Sequence, residues 1–170
     1  ASSVAPSDAV VTTDVGSHKL LVGQGWRPTS PRRLWMTNGL SSMGFSLPAA
    51  IAAKLYDRKS DVICFTGDGG LAMVQSELRL AASLRLGIKV VVFLDQSLNR
   101  IELKQMTRQY ASTGTVIVET NIISMANSMA CDGVFVEDEK GLAEALQNEN
   151  GETPLVIGVK VNPSQYLAQF

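Results

Sequence analysis

The chain has 170 residues, 45% of them hydrophobic and 18% charged, which is the composition of one globular domain with a full core. A formal net charge of -1, with no Lys/Arg run beyond doublets such as Arg32-Arg33, gives no electrostatic case for nucleic acid. No apolar stretch is long enough to span a bilayer, and the start Ala-Ser-Ser-Val-Ala-Pro-Ser lacks a basic-then-apolar leader, so the expectation is a cytoplasmic or organelle-interior protein without a membrane partner. The two cysteines, Cys64 and Cys131, have no Cys-x-x-Cys partner and read as packing residues rather than redox or metal groups.

In chain order, the pattern predicts a short strand over 9–13, a helix over 17–24, a Pro- and Arg-rich loop over 25–33 and a strand over 34–37. A helix with small residues on one face follows over 43–56, then a strand over 62–66 and a helix over 70–86. The run 89–94 is continuously apolar, the kind of strand that a parallel sheet buries on both faces. Helices over 98–110 and 122–130, a strand over 134–136, a helix over 139–147 and a strand over 155–161 complete the order. Alternating β and α elements imply an α/β fold: a doubly wound parallel sheet flanked by helices, one domain over 1–170. In such sheets ligands bind beyond the carboxyl ends of the strands.

Two strand ends carry chemistry. Val62-Ile63-Cys64-Phe65 runs into Thr66-Gly67-Asp68-Gly69-Gly70, which offers backbone N–H groups and one carboxylate at the start of a helix. Backbone N–H groups there favour phosphate, and a carboxylate beside phosphate favours Mg²⁺ or Ca²⁺. The next apolar run ends at Asp95-Gln96-Ser97, with Asp95 27 positions after Asp68. Two adjacent strand ends with a carboxylate each predict a metal-bridged diphosphate site. The spacing Gly67-Asp68-Gly69-Gly70-Leu71-Ala72 is not Gly-x-Gly-x-x-Gly, which argues against a Rossmann-type nucleotide module.

These residues resemble a known family. The block from Thr66-Gly67-Asp68-Gly69 to Asp95 is similar to the thiamine diphosphate motif, in which Gly-Asp-Gly is followed by Asn at the end of the next strand. Thr12-Thr13-Asp14-Val15-Gly16-Ser17-His18 resembles the TDVGQH segment of the acetolactate synthase group. Gly39-Leu40-Ser41-Ser42-Met43-Gly44-Phe45-Ser46-Leu47-Pro48-Ala49-Ala50 is similar to that group's GLGTMGFGLPAAIGA. The three blocks stand in family order. The resemblance implies the diphosphate-binding (PP) domain of a thiamine diphosphate enzyme that decarboxylates a 2-oxo acid and protonates or ligates the enamine. It implies Mg²⁺ held by Asp68, Asp95 and the backbone carbonyl of Ser97. It implies a diphosphate held by Gly16, Ser17, His18, Gly67, Gly69 and Gly70. The carbonyl of Ser41 would receive the cofactor's 4′-amino group, Met43 would wedge beneath the bent cofactor, and Ile101 would pack on its thiazolium.

The chain departs from the family pattern in three ways. Asp95 stands where most members have Asn, which keeps an oxygen ligand and adds a charge that partly offsets diphosphate affinity. Arg100 and Lys104 stand where pocket-lining apolar residues are usual, and suggest an anionic substrate. The glutamate that protonates the aminopyrimidine belongs to a pyrimidine-binding domain, expected elsewhere in the same enzyme or on a partner subunit. No catalytic residue is therefore assigned in this chain, which is expected to be inactive alone, a fragment or small subunit of a larger enzyme. Any FAD site would lie on a missing domain. A homo-oligomer is expected, with Met36, Leu40, Met43, Ile122, Ile123 and Met125 as candidate interface residues. The alternatives are the small subunit of a 2-oxo acid decarboxylase, or a non-catalytic interaction domain descended from the family.

Overall fold

The computed structural model describes residues 1–163 and Tyr166. Six strands, β1 (Val10–Thr13), β2 (Leu34–Met36), β3 (Val62–Gly67), β4 (Lys89–Leu94), β5 (Asp132–Val136) and β6 (Leu155–Lys160), form one sheet in the order β2-β1-β3-β4-β6-β5. Every pairing is parallel. Among the described residues seven helices flank it: α1 (Ser17–Gly25), α2 (Ser46–Tyr56), α3 (Asp68–Val74), α4 (Glu77–Ser83), α5 (Asn99–Thr107), α6 (Ile122–Ser128) and α7 (Glu139–Gln147).

The side chains of the central strands alternate between two cores, as the two-residue period of a strand requires. Val62, Cys64, Val90, Val92 and Val156 face one core with residues of α2, α3, α4 and α6. Ile63, Phe65, Val91, Leu155 and Ile157 face the other with residues of α1 and α7. Both faces being covered explains why β4 reads as an unbroken apolar run: Val90, Val91 and Val92 are all fully buried. Cys64 and Cys131 are both buried packing residues.

Several elements differ from the sequence pattern. The helix expected from 43 begins at Ser46, because Gly44 adopts φ +82 and donates its N–H to the Asp14 carboxylate at 3.0 and 3.1 Å. That turn holds Met43 outside the helix, and Pro48 sits in the first turn, where its missing N–H is harmless. The single helix expected over 70–86 is two, α3 and α4. Between them the bonding tightens to three-residue turns, from Leu78 N–H to the Gln75 carbonyl and from Arg79 N–H to that of Ser76. α6 stops at Ser128, and Ala130 with φ +59 turns the chain into β5, which begins earlier than expected, at Asp132.

The sheet order places the site. From β1 the chain moves outward to β2, then returns across β1 to β3 and continues to β4. The reversal opens a crevice between the carboxyl ends of β1 and β3, the position at which doubly wound sheets take ligands. Among the described residues no helix is long and apolar enough to cross a membrane.

Candidate functional site

The crevice is built on one buried carboxylate. Asp14 follows β1 and is fully buried. It accepts hydrogen bonds from the Val15 N–H (2.7 Å), the Gly44 N–H, the Ser46 hydroxyl (3.3 Å) and the Thr66 hydroxyl (3.3 Å). A buried charge is tolerable only when it is hydrogen-bonded in this way. These bonds join the end of β1, the turn before α2 and the end of β3. Gly70 lies against the same group, since a Cβ there would stand 2.8 Å from Asp14 Oδ2 and 3.0 Å from Thr66 Oγ1.

On this base the expected cofactor residues converge. Gly16, Ser17, His18, Met43, Gly67, Asp68, Gly69, Gly70, Asp95, Ser97 and Ile101 line one small pocket of about 80 Å³, together with Arg100. Gly16 has φ +155, and any Cβ on it would strike the His18 ring at 2.6 Å. Ser17 donates its hydroxyl to Asn99 Oδ1 at 3.3 Å, tying the start of α1 to the start of α5. Over Gly69, Leu98 and Ile117 would each meet a Cβ at 2.9 Å, and Met43 Cε at 3.3 Å, so a side chain there would have to displace their ends. α3 has seven residues. It offers the N–H groups of one tight turn more than a long helix dipole, and the Gly69 N–H already donates to Asp68 Oδ1 at 2.8 Å.

His18 is the unusual member. It is 4% exposed, stacked on Phe93 with centroids 5.3 Å apart, and its Nε2 is the buried side-chain nitrogen left without a partner among the described residues. Burial lowers its pKa to about 4, against the opposing pull of the Asp14 charge and a hydrogen bond to the Asp14 backbone. An unpartnered buried polar atom costs about 1–3 kcal/mol, so a ligand atom that supplies the missing bond is favoured here.

The acidic pair lies at the ends of adjacent strands, Gly67 being in register with Phe93. Asp68 Oδ2 accepts the Gln96 N–H at 2.9 Å, and Asp95 Oδ1 accepts the Ser97 N–H at 3.2 Å. Burial raises the Asp68 pKa in spite of those N–H groups. Burial also pushes Asp95 up to about 6, helped by the charges of Asp68 and Glu102. Glu102 accepts the Ser97 and Ser112 hydroxyls at 2.5 and 3.0 Å. Two half-buried carboxylates, both raised by burial and Asp95 also by the Asp68 charge, are relieved by a cation. The described residues hold no cluster of three His, Cys, Asp or Glu, so further ligands would be carbonyl, water or phosphate oxygens. That donor set fits a hard ion such as Mg²⁺ and not Zn²⁺.

Two expected residues stand apart. Ser41 lines the neighbouring cleft rather than this pocket, with φ +51 and its hydroxyl donating to the Thr37 carbonyl at 3.3 Å. Lys104 is exposed and lines neither cavity, one turn beyond Arg100, which lines both. Of the candidate interface residues, Leu40 is 99% exposed and Ile123 is exposed, whereas Ile122 is buried in the core.

Asp14, Phe93, Asn99, Ile117 and Tyr166 were not visible as site residues in the sequence. Tyr166 is buried near the acidic pair, and burial followed by the charges of Asp95 and Asp68 pushes its phenol up to about 12. Ile117 arrives on a loop that pairs back on the strand end, its N–H donating to the Gln96 carbonyl at 2.8 Å. Only Asp14 had a signal, a carboxylate placed directly after an apolar strand, like Asp68 and Asp95.

A crevice at the sheet's reversal, with a glycine cradle and a carboxylate pair, defines a diphosphate-binding α/β domain. Residues 14–159 match the family model of the thiamine pyrophosphate enzyme, C-terminal TPP binding domain, and the chain belongs to that family. It is 33% identical over 162 residues to the acetolactate synthase large subunit of Lactococcus lactis subsp. lactis (strain IL1403), covering 94% of this chain and 28% of that protein. It is 31% identical over 155 residues to the acetolactate synthase of Bacillus subtilis (strain 168), covering 91% and 27%. With the acetolactate synthase isozyme 1 large subunit of Escherichia coli (strain K12) it shares 29% over 161 residues, covering 93% and 29%. The chain thus spans less than a third of the length of these relatives.

Proposed function

We propose that this chain is the magnesium- and diphosphate-binding half of an enzyme that decarboxylates a 2-oxo acid and passes the remaining acyl carbon to a proton or to a second carbonyl, the chemistry named by its acetolactate synthase relatives. The observation that carries the reading is the single pocket in which the Gly16–His18 and Gly67–Gly70 segments meet the Asp68 and Asp95 carboxylates. Thiamine diphosphate, when bound, supplies the electron sink that makes loss of CO₂ feasible. The chain's own residues bind and orient. Asp68, Asp95 and Ser97 would hold Mg²⁺, and Gly16, Ser17, Gly67, Gly69 and Gly70 would surround the diphosphate. His18 Nε2 would take a proton and donate it as a hydrogen bond to a phosphate oxygen, since a lone pair facing an anion gains nothing. Met43 and Ile101 would support the cofactor's rings, and Ser41 would receive its amino group from the adjoining cleft. Leu98 and Ile117 pack over Gly69.

The activating glutamate and any flavin would come from other domains, and Leu40 and Ile123, both exposed, would meet a pyrimidine-binding domain or a second copy. Calorimetric titration with thiamine diphosphate, with and without Mg²⁺, tests the reading. Mg²⁺-dependent binding that disappears in Asp68→Ala is expected. Binding that ignores both Mg²⁺ and Asp68, measured with the pyrimidine domain present, would sink it.

A further inference from the structure

The bonds that hold Asp14 account for the shape of its side chain but not for its charge. The Val15 N–H reaches Oδ1 at 2.7 Å, the Gly44 N–H reaches both oxygens at 3.1 and 3.0 Å, and the Ser46 and Thr66 hydroxyls reach Oδ2 at 3.3 Å. An asparagine of the same shape would serve these four groups. Its oxygen would keep the two N–H groups, and its amide nitrogen, in place of Oδ2, would donate to hydroxyls that accept as readily as they donate. Yet the residue is a fully buried carboxylate, and among the described residues no lysine or arginine forms an ion pair with it. A buried charge without a cation is costly. Two titratable groups feel this one, the Cys64 thiol and His18. Of the two, only His18 can become a cation.

The His18 ring is fixed between Phe93, on which it stacks at 5.3 Å, and Gly16, where a Cβ would stand 2.6 Å from it. Its bond to the Asp14 backbone falls to Nδ1, because Nε2 has no partner. Nδ1 therefore carries the proton of the neutral ring, and Nε2 is a buried lone pair on a residue that lines the diphosphate pocket. The other charged groups of that pocket are Asp68 after β3, Asp95 after β4 and Arg100 on α5, which has a partner of its own. Lys19, next along α1, is bonded to the Thr37 carbonyl. We propose that Asp14 is a positioning residue acting through His18: its carbonyl fixes the ring and its carboxylate is the counter-charge for an imidazolium, so that seating the diphosphate draws a proton onto Nε2. The proton passes from a buffer acid to the Nε2 lone pair, and no other covalent bond changes. The inference rests on the cofactor reading of the pocket, and adds to it a part for Asp14 and a proton count. The rival route moves the ring's existing proton from Nδ1 to Nε2. It takes up no proton, and it leaves the Asp14 carbonyl facing a lone pair.

The test is calorimetric titration of the full-length polypeptide carrying this chain with thiamine diphosphate, at saturating Mg²⁺ and about pH 6.5, in buffers of different ionisation enthalpy. The buffer dependence gives the protons taken up per cofactor bound. Protons released by the cofactor's phosphate and by Asp95 are common to wild type and variants and cancel in the difference. The wild type is expected to take up about one proton more than His18→Gln, whose amide offers an N–H without needing one. Asp14→Asn should take up about as many as His18→Gln, whereas a merely structural Asp14 would alter affinity and leave the wild-type count. Equal counts in wild type and His18→Gln overturn the proposal, and so does an Asp14→Asn protein that keeps the wild-type count or no longer folds. Nitrogen NMR of the histidine-labelled wild type needs no variant: one imidazole should lose its bare nitrogen when the cofactor is added, and no such change overturns the proposal. Absence of thiamine diphosphate binding would sink the cofactor reading and this inference with it, while binding without the extra proton sinks the inference alone.

Discussion

Asp68 and Asp138 follow the same local recipe, each an acidic residue after an apolar strand and at the start of a helix, yet only one belongs to a site. Asp138 caps α7, its Oδ1 accepting the Gly141 N–H at 2.7 Å in open solvent. Asp68 accepts two N–H groups as well, but half-buried and beside Asp95. The difference lies in the neighbours. β3 is central, and its partner β4 ends in a second carboxylate. β5 is an edge strand whose single neighbour, β6, ends in Lys160, which pairs with Glu137 at 3.3 Å. A carboxylate that meets a cation at the surface is neutralised and worth little. One that meets another carboxylate in a crevice calls for a metal.

Substitution at the two positions should separate them most sharply. Asp68→Asn is expected to weaken Mg²⁺-dependent thiamine diphosphate binding by about a hundredfold or more, roughly 3 kcal/mol, whereas Asp138→Asn leaves it unchanged; calorimetry on both variants decides. The next effect comes from His18. Its pKa falls from the usual 6.5 to about 4 on folding, so between those values the unfolded chain binds the extra proton. Stability is therefore complete above pH 6.5 and is lost as the pH falls toward 4, by about 3 kcal/mol for a fully buried imidazole. Denaturant titrations across that window, with His18→Gln flattening the slope, check it, and an Asp95→Asn background removes the opposing carboxylate.

Asp95 carries the opposite sign. Its pKa rises from 3.8 to about 6 on folding, so the stability it allows at low pH is lost as the pH rises through 6. Asp95→Asn should then stabilise the metal-free protein near pH 7.5 by about 2 kcal/mol, discounted for its partial exposure. Saturating Mg²⁺ should erase that gain, and thermal melts with and without the ion would show it. The smallest effect belongs to the cap. Asp138→Ala should cost about 1 kcal/mol of stability, with no change in ligand binding.

Much of this was legible in the chain. The alternating strands and helices announced the parallel sheet because strand and helix periods are local properties of the residue order. Gly67 to Gly70 and Asp95 were legible because glycine and carboxylate at a strand end have few other uses. Asn99, Phe93, Ile117 and Tyr166 were not, since an Asn at a helix start or an aromatic in a strand looks the same whether or not a pocket lies beside it. Lys104 lies outside both cavities for a related reason: i and i+4 share a helix face, but the cavity reaches only the first turn of α5.

The sequence by itself determined the elements, the family and the two acidic strand ends, because each is written within a few consecutive residues. Only the tertiary structure decided which distant residues meet. It set Asp14 beneath Gly44 and Gly70, left His18 Nε2 buried without a partner among the described residues, and brought Ser17 of α1 to Asn99 of α5. Those encounters follow from strand order and crossover packing, and they depend on separations that no local pattern encodes.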